Sequence, residues 1–156
     1  MITLIPYQSS YDPQLNHYSI ADEESDFALT PLKAIKDLAD KEDAILIFSN
    51  HTLAGFFRLN FNDERYGLTQ NSNSVLLKSF SVTETMQGQK IAQQALAELP
   101  HYIQAHYSDT INEIVLSVNF RNPKAKYIYE KCGFVDTGKV IGGRAGNQYV
   151  MSLTMT

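Results

Sequence analysis

The feature that most constrains the fold is a short polar junction between a strand pattern and a helix pattern. Leu76, Phe80 and Val82 alternate with polar residues, as in a β-strand with one buried face. After a loop that contains Gly88, apolar side chains recur at helical spacing as far as Ile103. The first amides of such a helix have no partner within it, so the junction offers backbone donors to a ligand.

The other periodic segments complete a mixed α/β chain of one domain, residues 1–156. Most of the region 12–43 is expected to be helical, with an interruption near Pro31. Asn50 lies in a predicted hairpin turn between two strands. Strands are expected, besides the one before Gly88, at Ile2–Ile5, Ala44–Phe48, Leu53–Phe61, Ile114–Val118, Val135–Val140 and Gln148–Thr154.

Two helices follow the strand that ends near Val82. Pro100 lies inside the first pattern and is expected either to kink this helix or to divide it in two. The second helix has start and stop signals: Asn122 as the N-cap, Pro123 at the first helical position and Gly133 at the C-terminal end.

Composition and charge exclude several classes of protein. The chain is 44% hydrophobic and has no apolar run long enough to cross a membrane. Its N-terminus is not typical of a signal peptide, and its single cysteine, Cys132, suits a reducing compartment, so a cytoplasmic protein is expected. With a net charge of −4 and 13 scattered Lys and Arg residues, it is not expected to bind nucleic acid. No metal site is expected, because the four histidines lack ligand spacing.

The first motif is Gln87-Gly88-Gln89-Lys90-Ile91-Ala92. It resembles the acyl-CoA loop of the GCN5-related N-acetyltransferase (GNAT) family, whose pattern is Gln/Arg-x-x-Gly-x-Gly/Ala. The central glycine is replaced by Lys90, which removes a small residue and adds a cation. Binding of a diphosphate is expected to survive, because it depends on backbone amides at the start of a helix.

The second motif, Asn119 to Phe134, resembles the other signature of the same family, Asn-x-x-Ala-x-x-x-Tyr-Glu-x-x-Gly-Phe. The matching residues are Asn122, Ala125, Tyr129, Glu130, Gly133 and Phe134. Two signatures in the right order are more specific than either one. The resemblance implies an α/β (α+β) fold with a mixed, mostly antiparallel twisted sheet, flanked by helices and containing a splayed pair of central strands.

The resemblance also implies acetyl-CoA as acyl donor. The backbone of Phe80, Ser81 and Val82 would pair with the pantetheine arm, and an N–H near Val82 would polarise the thioester carbonyl. Asn119 would mark the point where the strands separate. The other residues implied to contact the cofactor are Gln87, Gly88, Gln89, Lys90, Ile91, Ala92, Asn122, Ala125 and Tyr129.

The resemblance assigns catalysis to Tyr129, whose hydroxyl would protonate the departing thiolate. A phenol with an ordinary pKa of about 10 carries this proton at neutral pH. The spacing of Tyr129 from Ala125 also allows a different reading, a core aromatic residue on the inner helix face.

The expected activity is transfer of an acetyl group to a primary amine. The acceptor is expected to be a small molecule more than a protein. The general base stays open among Glu84, Asp63, Glu64, the acidic cluster Asp22-Glu23-Glu24-Asp26, and a water chain. This cluster could attract a cationic acceptor, but acidic helix faces are usually only solvated. A non-catalytic acyl-CoA-binding or sensory module and a structural interaction domain are alternatives. The oligomeric state, including a homodimer, is open.

Overall fold

The fold is an open seven-stranded sheet with helices on both faces, seen in a computed structural model that describes residues 1–21, 27 and 29–155. The strands are β1 (Ile2–Pro6), β2 (Glu42–Ser49), β3 (Thr52–Asn60), β4 (Ser74–Val82), β5 (Glu113–Asn119), β6 (Val135–Ile141) and β7 (Gln148–Thr154). The α-helices are α1 (Asp12–Leu15), α2 (Pro31–Lys36), α3 (Ile91–His106) and α4 (Pro123–Lys131).

The strands lie in the order β1-β2-β3-β4-β5-β7-β6, and every neighbouring pair is antiparallel except β4 and β5. The parallel pair is joined through α3, as a parallel connection requires. The prediction of a mixed, mostly antiparallel sheet flanked by helices is therefore confirmed.

The two central strands separate soon after they meet. β4 and β5 pair only through Ser74 with Glu113, Val75 with Ile114, and Leu76 with Val115. Beyond Leu76, β4 continues to Val82 without pairing with β5. The predicted splay between the central strands is thus present, and it opens a gap in the middle of the sheet.

A β-bulge lies on β4 where the gap opens. Arg58 of β3 pairs with Lys78, but Phe56, two residues before Arg58, pairs with Ser81, three residues after Lys78. Ser79 has a left-handed backbone with φ of 57°. A bulge of this kind adds one residue to one strand and reverses the side to which the following side chains point.

Alternating side chains divide the core between the two faces of the sheet. Ile45 and Ile47 pack with α3, whereas Leu46 and Phe48 pack with residues of α1 and α2. The strands from β2 to β5 thus bury both faces. Within the described part of the chain, no helix has the length and apolar composition needed to cross a membrane.

The predicted turn and cap residues have the backbone conformations and hydrogen bonds expected of them. Asn50 and His51 take positive φ values of 49° and 72° in the hairpin between β2 and β3. Asn122 caps α4, because its side chain accepts a hydrogen bond from the Ala125 N–H. Gly133, with φ of 97°, follows the end of α4.

Two expectations need correction. The described part of 12–43 is not mostly helical: it contains only α1, of 4 residues, and α2, of 6 residues, before β2 begins at Glu42. Both helices are short and pack against the sheet, and α2 ends at Lys36, before a loop that leads to β2. The periodicity of the apolar residues did not reveal where these helices end. Of the two alternatives for Pro100, the division of α3 is wrong, because α3 runs as one helix of 16 residues, whereas the kink stays a prediction.

Candidate active site

A cavity of about 300 Å³ lies where β4 ends and where α3 and α4 begin. We call it the first cavity. It is lined by Phe80, Ser81, Val82, Met86, Gln87, Gly88, Lys90, Ile91, Ala92, Gln93, Asn122, Lys124, Ala125, Ile128 and Tyr129. The two motifs, separated in sequence, therefore face each other across one space.

The start of α3 presents open backbone donors to the first cavity. The first hydrogen bond within the helix runs from the Gln94 N–H to the Lys90 carbonyl. Among the residues that the structure describes, no side chain caps the preceding amides of Ile91, Ala92 and Gln93. Unpartnered N–H groups together with the positive end of the helix dipole make this end of the cavity suitable for an anion.

Lys90 takes the backbone conformation that normally favours glycine. Its φ and ψ are 60° and 23°, in the left-handed region, and Gly88 two residues earlier has φ of 83°. The replacement of the motif glycine has therefore left a left-handed conformation at this position. Compared with glycine, a lysine at position 90 is strained in this conformation and adds an exposed cation beside the open amides.

The loop before α3 is fixed to the end of β4. The Gln87 side chain donates from Nε2 to the Val82 carbonyl at 3.2 Å. The Thr83 N–H donates to the Ala54 carbonyl, and the Met86 N–H donates to the Thr83 carbonyl. These bonds set the position of the open amides relative to the strand.

Tyr129 lies at the opposite side of the first cavity, on α4. Its ring packs edge-on against Phe80, at 6.3 Å between centroids, and against Phe134, at 5.6 Å. Although the side chain keeps partial exposure, its surroundings raise the pKa of the hydroxyl above 10 through burial, with a smaller contribution from Cys132. No hydrogen bond joins this hydroxyl to another of the described residues.

Of the two asparagines of the second motif, only Asn122 lines the first cavity. The Asn119 side chain donates to the Ala145 carbonyl at 3.0 Å and accepts from the Arg121 N–H at 2.8 Å. Its Nδ2 thus joins the end of β5 to the loop between β6 and β7, and its Oδ1 supports the turn that leads from β5 to α4. Its role in these contacts is to shape the gap between β4 and β5.

A second cavity, of about 650 Å³, fills the gap between β4 and β5. It shares Phe80, Ser81, Asn122, Ala125 and Tyr129 with the first cavity. Ser81 forms a hydrogen bond of 2.6 Å with Tyr18. Because the two cavities meet at Tyr129, a group bound in one can reach a group bound in the other.

The ionic groups of the second cavity are linked to a carboxylate behind it. Arg58, Glu64, Lys78 and Arg144 line the cavity among its described residues. The fully buried Glu42 side chain is 3.0 Å from Arg58 and 3.1 Å from Lys78, and Lys78 also pairs with Glu64. Burial of Glu42 acts to raise its pKa, but hydrogen bonds from Asn60, Lys78 and the Ala39 N–H more than offset this, and its pKa is lowered.

The structure brings most of the predicted site residues together. Asn119 borders only the second cavity, and Gln89 lines neither cavity. Sequence analysis missed four residues of the first cavity, which are Met86, Gln93, Lys124 and Ile128. Gln93 is in the first turn of α3, and Ile128 lies one turn after Ala125, so helical spacing from the motif residues was the available signal.

The candidate bases are not equally placed. Glu64 borders the second cavity, whereas Glu84 and Asp63 line neither cavity. The cluster from Asp22 to Asp26 lies outside the described residues. Among the residues that the structure does describe, no group of three or more His, Cys, Asp or Glu side chains could hold a metal ion.

Comparison with known sequences gives two findings. The family model described as the acetyltransferase (GNAT) family matches residues 7–134. A protein of Bacillus subtilis (strain 168), the uncharacterized N-acetyltransferase YbbJ, is 28% identical over 153 residues, which is 96% of this chain and 95% of the relative.

Solved structures share the fold at low identity. Spermidine N-acetyltransferase from Vibrio cholerae, in complex with CoA and spermine, has a TM-score of 0.69 and 20% identity, with 99% of this chain and 95% of that chain covered. Aminoglycoside acetyltransferase AAC(6')-Ib, in complex with coenzyme A, has a TM-score of 0.76 and 12% identity, with the same coverage. The chain therefore belongs to the GNAT family of acetyltransferases, which confirms the enzyme class and the acetyl-CoA donor that its two motifs implied.

Proposed function

We propose that the protein transfers an acetyl group from acetyl-CoA to the primary amine of a small-molecule acceptor, with Tyr129 as general acid. One observation carries this proposal: the residues at the start of α3 and Tyr129 line the same cavity. Two similar structures have an amine in their names, a spermidine and an aminoglycoside acetyltransferase, which supports an amine acceptor here.

The amides at the start of α3 would hold the diphosphate of acetyl-CoA. Lys90 would add a cation beside it, and Lys124 supplies another across the first cavity. The strand segment from Phe80 to Val82 is not paired with β5, so no strand occupies its backbone groups on the side of the gap, although the Val82 carbonyl accepts from Gln87 Nε2. The arm would then lie in the gap like an added strand.

The second cavity would deliver the acceptor amine to the thioester. A deprotonated amine attacks the carbonyl carbon, and negative charge develops on the carbonyl oxygen. A backbone N–H at Val82 or its neighbour would stabilise this charge. When the C–S bond breaks, the Tyr129 hydroxyl would give its proton to the leaving sulfur, which yields CoA as the thiol. The attacking nitrogen would lose one proton to water as the amide forms, and water would return a proton to the Tyr129 phenoxide.

Burial raises the pKa of Tyr129, which keeps the phenol protonated but also makes it a weaker acid. The proposed role therefore rests on the position of Tyr129 in the site and not on its acid strength. The second cavity is a recess of about 650 Å³ between two strands, and a recess of this size supports a small molecule more than a protein surface as acceptor.

Two measurements test the proposal. Calorimetric titration with acetyl-CoA should show binding, and a thiol-release assay over a panel of amines, which includes polyamines, aminoglycosides and amino acids, should show turnover. No binding at millimolar acetyl-CoA would overturn the proposal. Binding without release across the panel would favour a non-catalytic acyl-CoA-binding module on the same fold.

A further inference from the structure

We propose that Arg58 is a positioning residue for acetyl transfer, which fixes the bulge of β4 and, through Phe80, the orientation of the Tyr129 phenol. The kinetic part of this inference rests on the proposed function, whereas its structural part can be tested without any acceptor. Arg58 lies on β3 and acts through Ser79, so it need not touch the reacting atoms.

The bulge places an unfavourable conformation next to the site. Ser79 and Phe80 together lie opposite the single residue Phe57, and Ser79 has φ of 57°. Residues other than glycine disfavour the left-handed region, so contacts around Ser79 must hold it there. A β4 strand without this extra residue would turn the following side chains to the other face of the sheet.

Arg58 supplies those contacts. Its Nε donates to the Ser79 Oγ at 3.0 Å, and its Nη2 donates to the same oxygen at 2.7 Å. The third guanidinium nitrogen, Nη1, donates to Glu42 Oε1 at 3.0 Å. The planar guanidinium is thereby fixed in its orientation by a side chain that is fully buried.

The position of the bulge reaches the phenol through Phe80. The residue after Ser79 stacks on Phe57, with centroids 5.8 Å apart and planes at 25°. Its ring also meets Tyr129 edge-on. Glu42, Arg58, Ser79, Phe80 and Tyr129 therefore form a continuous series of contacts from the interior of β2 to the general acid.

The decisive substitution is Arg58→Lys, which keeps a positive charge near Glu42 but cannot place two donors on Ser79. We expect kcat to fall about tenfold, because small displacements of catalytic groups are costly in rate. The Kd of acetyl-CoA, measured by calorimetry, should stay within about threefold, because the amides of α3 provide much of the binding.

The matched control is Asn60→Ala. Asn60 is fully buried and donates to Glu42 Oε2 at 2.7 Å, but it does not touch Ser79 and lines neither cavity. This variant weakens the same buried carboxylate network, and we expect its kcat to stay within about twofold of the parent. A fall in kcat as large as that of Arg58→Lys would mean that Arg58 acts only through stability.

A rescue variant separates backbone geometry from charge. In Arg58→Lys with Ser79→Gly, glycine takes the left-handed conformation without support, so most of the lost kcat should return. If this double variant is no more active than Arg58→Lys, the bulge is not the route from Arg58 to the site, and the proposal fails.

NMR of the acceptor-free protein gives an independent test. The ring resonances of Tyr129 should move in Arg58→Lys, stay in place in Asn60→Ala, and return toward the parent in the rescue variant. Unmoved resonances in Arg58→Lys would overturn the proposal. Should the parent acetylate no amine, the proposed function would fail while this NMR comparison still decides whether Arg58 orients the phenol.

Discussion

The ring of Tyr129 meets the ring of Phe80 edge-on, with 6.3 Å between the centroids and 67° between the planes. Phe80 belongs to the strand that leaves the sheet at the central gap, and Tyr129 belongs to the helix after β5. This contact joins the two sides of the site, so the strand proposed to hold the thioester also holds the phenol in place.

Tyr129→Phe should lower kcat by about 100-fold, because general acids typically contribute this much or more. Phenylalanine keeps the ring contacts with Phe80 and Phe134 and loses only the hydroxyl. The affinity for acetyl-CoA, measured by calorimetry, should therefore be nearly unchanged.

Tyr127→Phe is the matched control for this substitution. Tyr127 lies two residues earlier on α4, is 58% exposed and lines neither cavity. Its variant should be as active as the parent. Equal rates for Tyr129→Phe and Tyr127→Phe would remove Tyr129 from the mechanism.

Lys90→Gly should raise the free energy of unfolding by about 1 kcal/mol, since glycine relieves the left-handed strain but also gains freedom in the unfolded chain. It should also weaken acetyl-CoA binding a few-fold at low salt, because it removes a cation beside the diphosphate. This second effect should vanish at high salt, where ions screen an exposed charge. Urea unfolding and calorimetry at two ionic strengths measure both.

Lys41→Gly offers a control of the same residue type. Lys41 also has a left-handed backbone, with φ of 57°, but it lies just before β2, away from both cavities. Its variant should gain similar stability with no change in acetyl-CoA affinity. Loss of affinity in both variants would show that Lys90 makes no specific contribution to binding.

Gly55→Ala should destabilise the protein by about 1–3 kcal/mol through overpacking. A Cβ at this position would lie 2.7 Å from the Ser81 carbonyl oxygen and 2.8 Å from Ile47 Cδ1. Because Ser81 lies on the segment proposed to bind pantetheine, the KM for acetyl-CoA should rise as well. Urea unfolding and steady-state kinetics measure the two effects.

Gly142→Ala tests whether any glycine substitution would do the same. No atom lies within 4 Å of a Cβ built at Gly142. Its stability should stay within about 0.5 kcal/mol of the parent. A similar loss in both variants would argue against the close approach of β3 and β4 as the cause.

Stability should decrease as the pH falls below 4.5, in part because of Glu42. Its pKa is below the ordinary value of 4.5, since its hydrogen bonds outweigh the effect of burial. A carboxyl group with a lowered pKa stabilises the folded state above its unfolded pKa, and this contribution is lost as pH falls through the folded pKa. Urea unfolding at a series of pH values from about 6 to 2 measures this loss.

Glu42→Gln should have a flatter pH dependence over the same range, although it should be less stable at neutral pH because Arg58 and Lys78 lose their buried partner. Glu98→Gln, an exposed change on α3, should follow the parent curve. Identical curves for the parent and Glu42→Gln would show that Glu42 does not contribute to acid unfolding.

The parts of the site that are continuous in sequence could be predicted. The open amides after Lys90 follow from a strand, a loop and a helix in direct succession, and the position of Tyr129 follows from the cap at Asn122. The mostly antiparallel character of the sheet and the gap between its central strands were implied by the family resemblance, and the structure confirms both.

Features built from distant residues could not be predicted. The network of Glu42, Arg58 and Ser79 joins three strands, and each residue alone has the appearance of an ordinary polar position in a strand. The bulge has no glycine to mark it in the sequence, since its left-handed residue is Ser79, whose Oγ accepts hydrogen bonds from Arg58. The short helices α1 and α2 pack against the sheet, and the periodicity of their own residues gives no information about that packing.

The three residue pairs between β4 and β5 have a consequence for cooperativity. Among the described residues, they are the strand pairs that connect the group β1–β4 to the group β5–β7, extended at one end by the backbone hydrogen bond from Asn112 to Asn73. Beyond Leu76 the two strands do not pair, so a molecule lying in the gap could add backbone bonds there. Saturation with such a molecule should make hydrogen exchange at the ends of β4 and β5 slow down together, as if a missing strand had been restored.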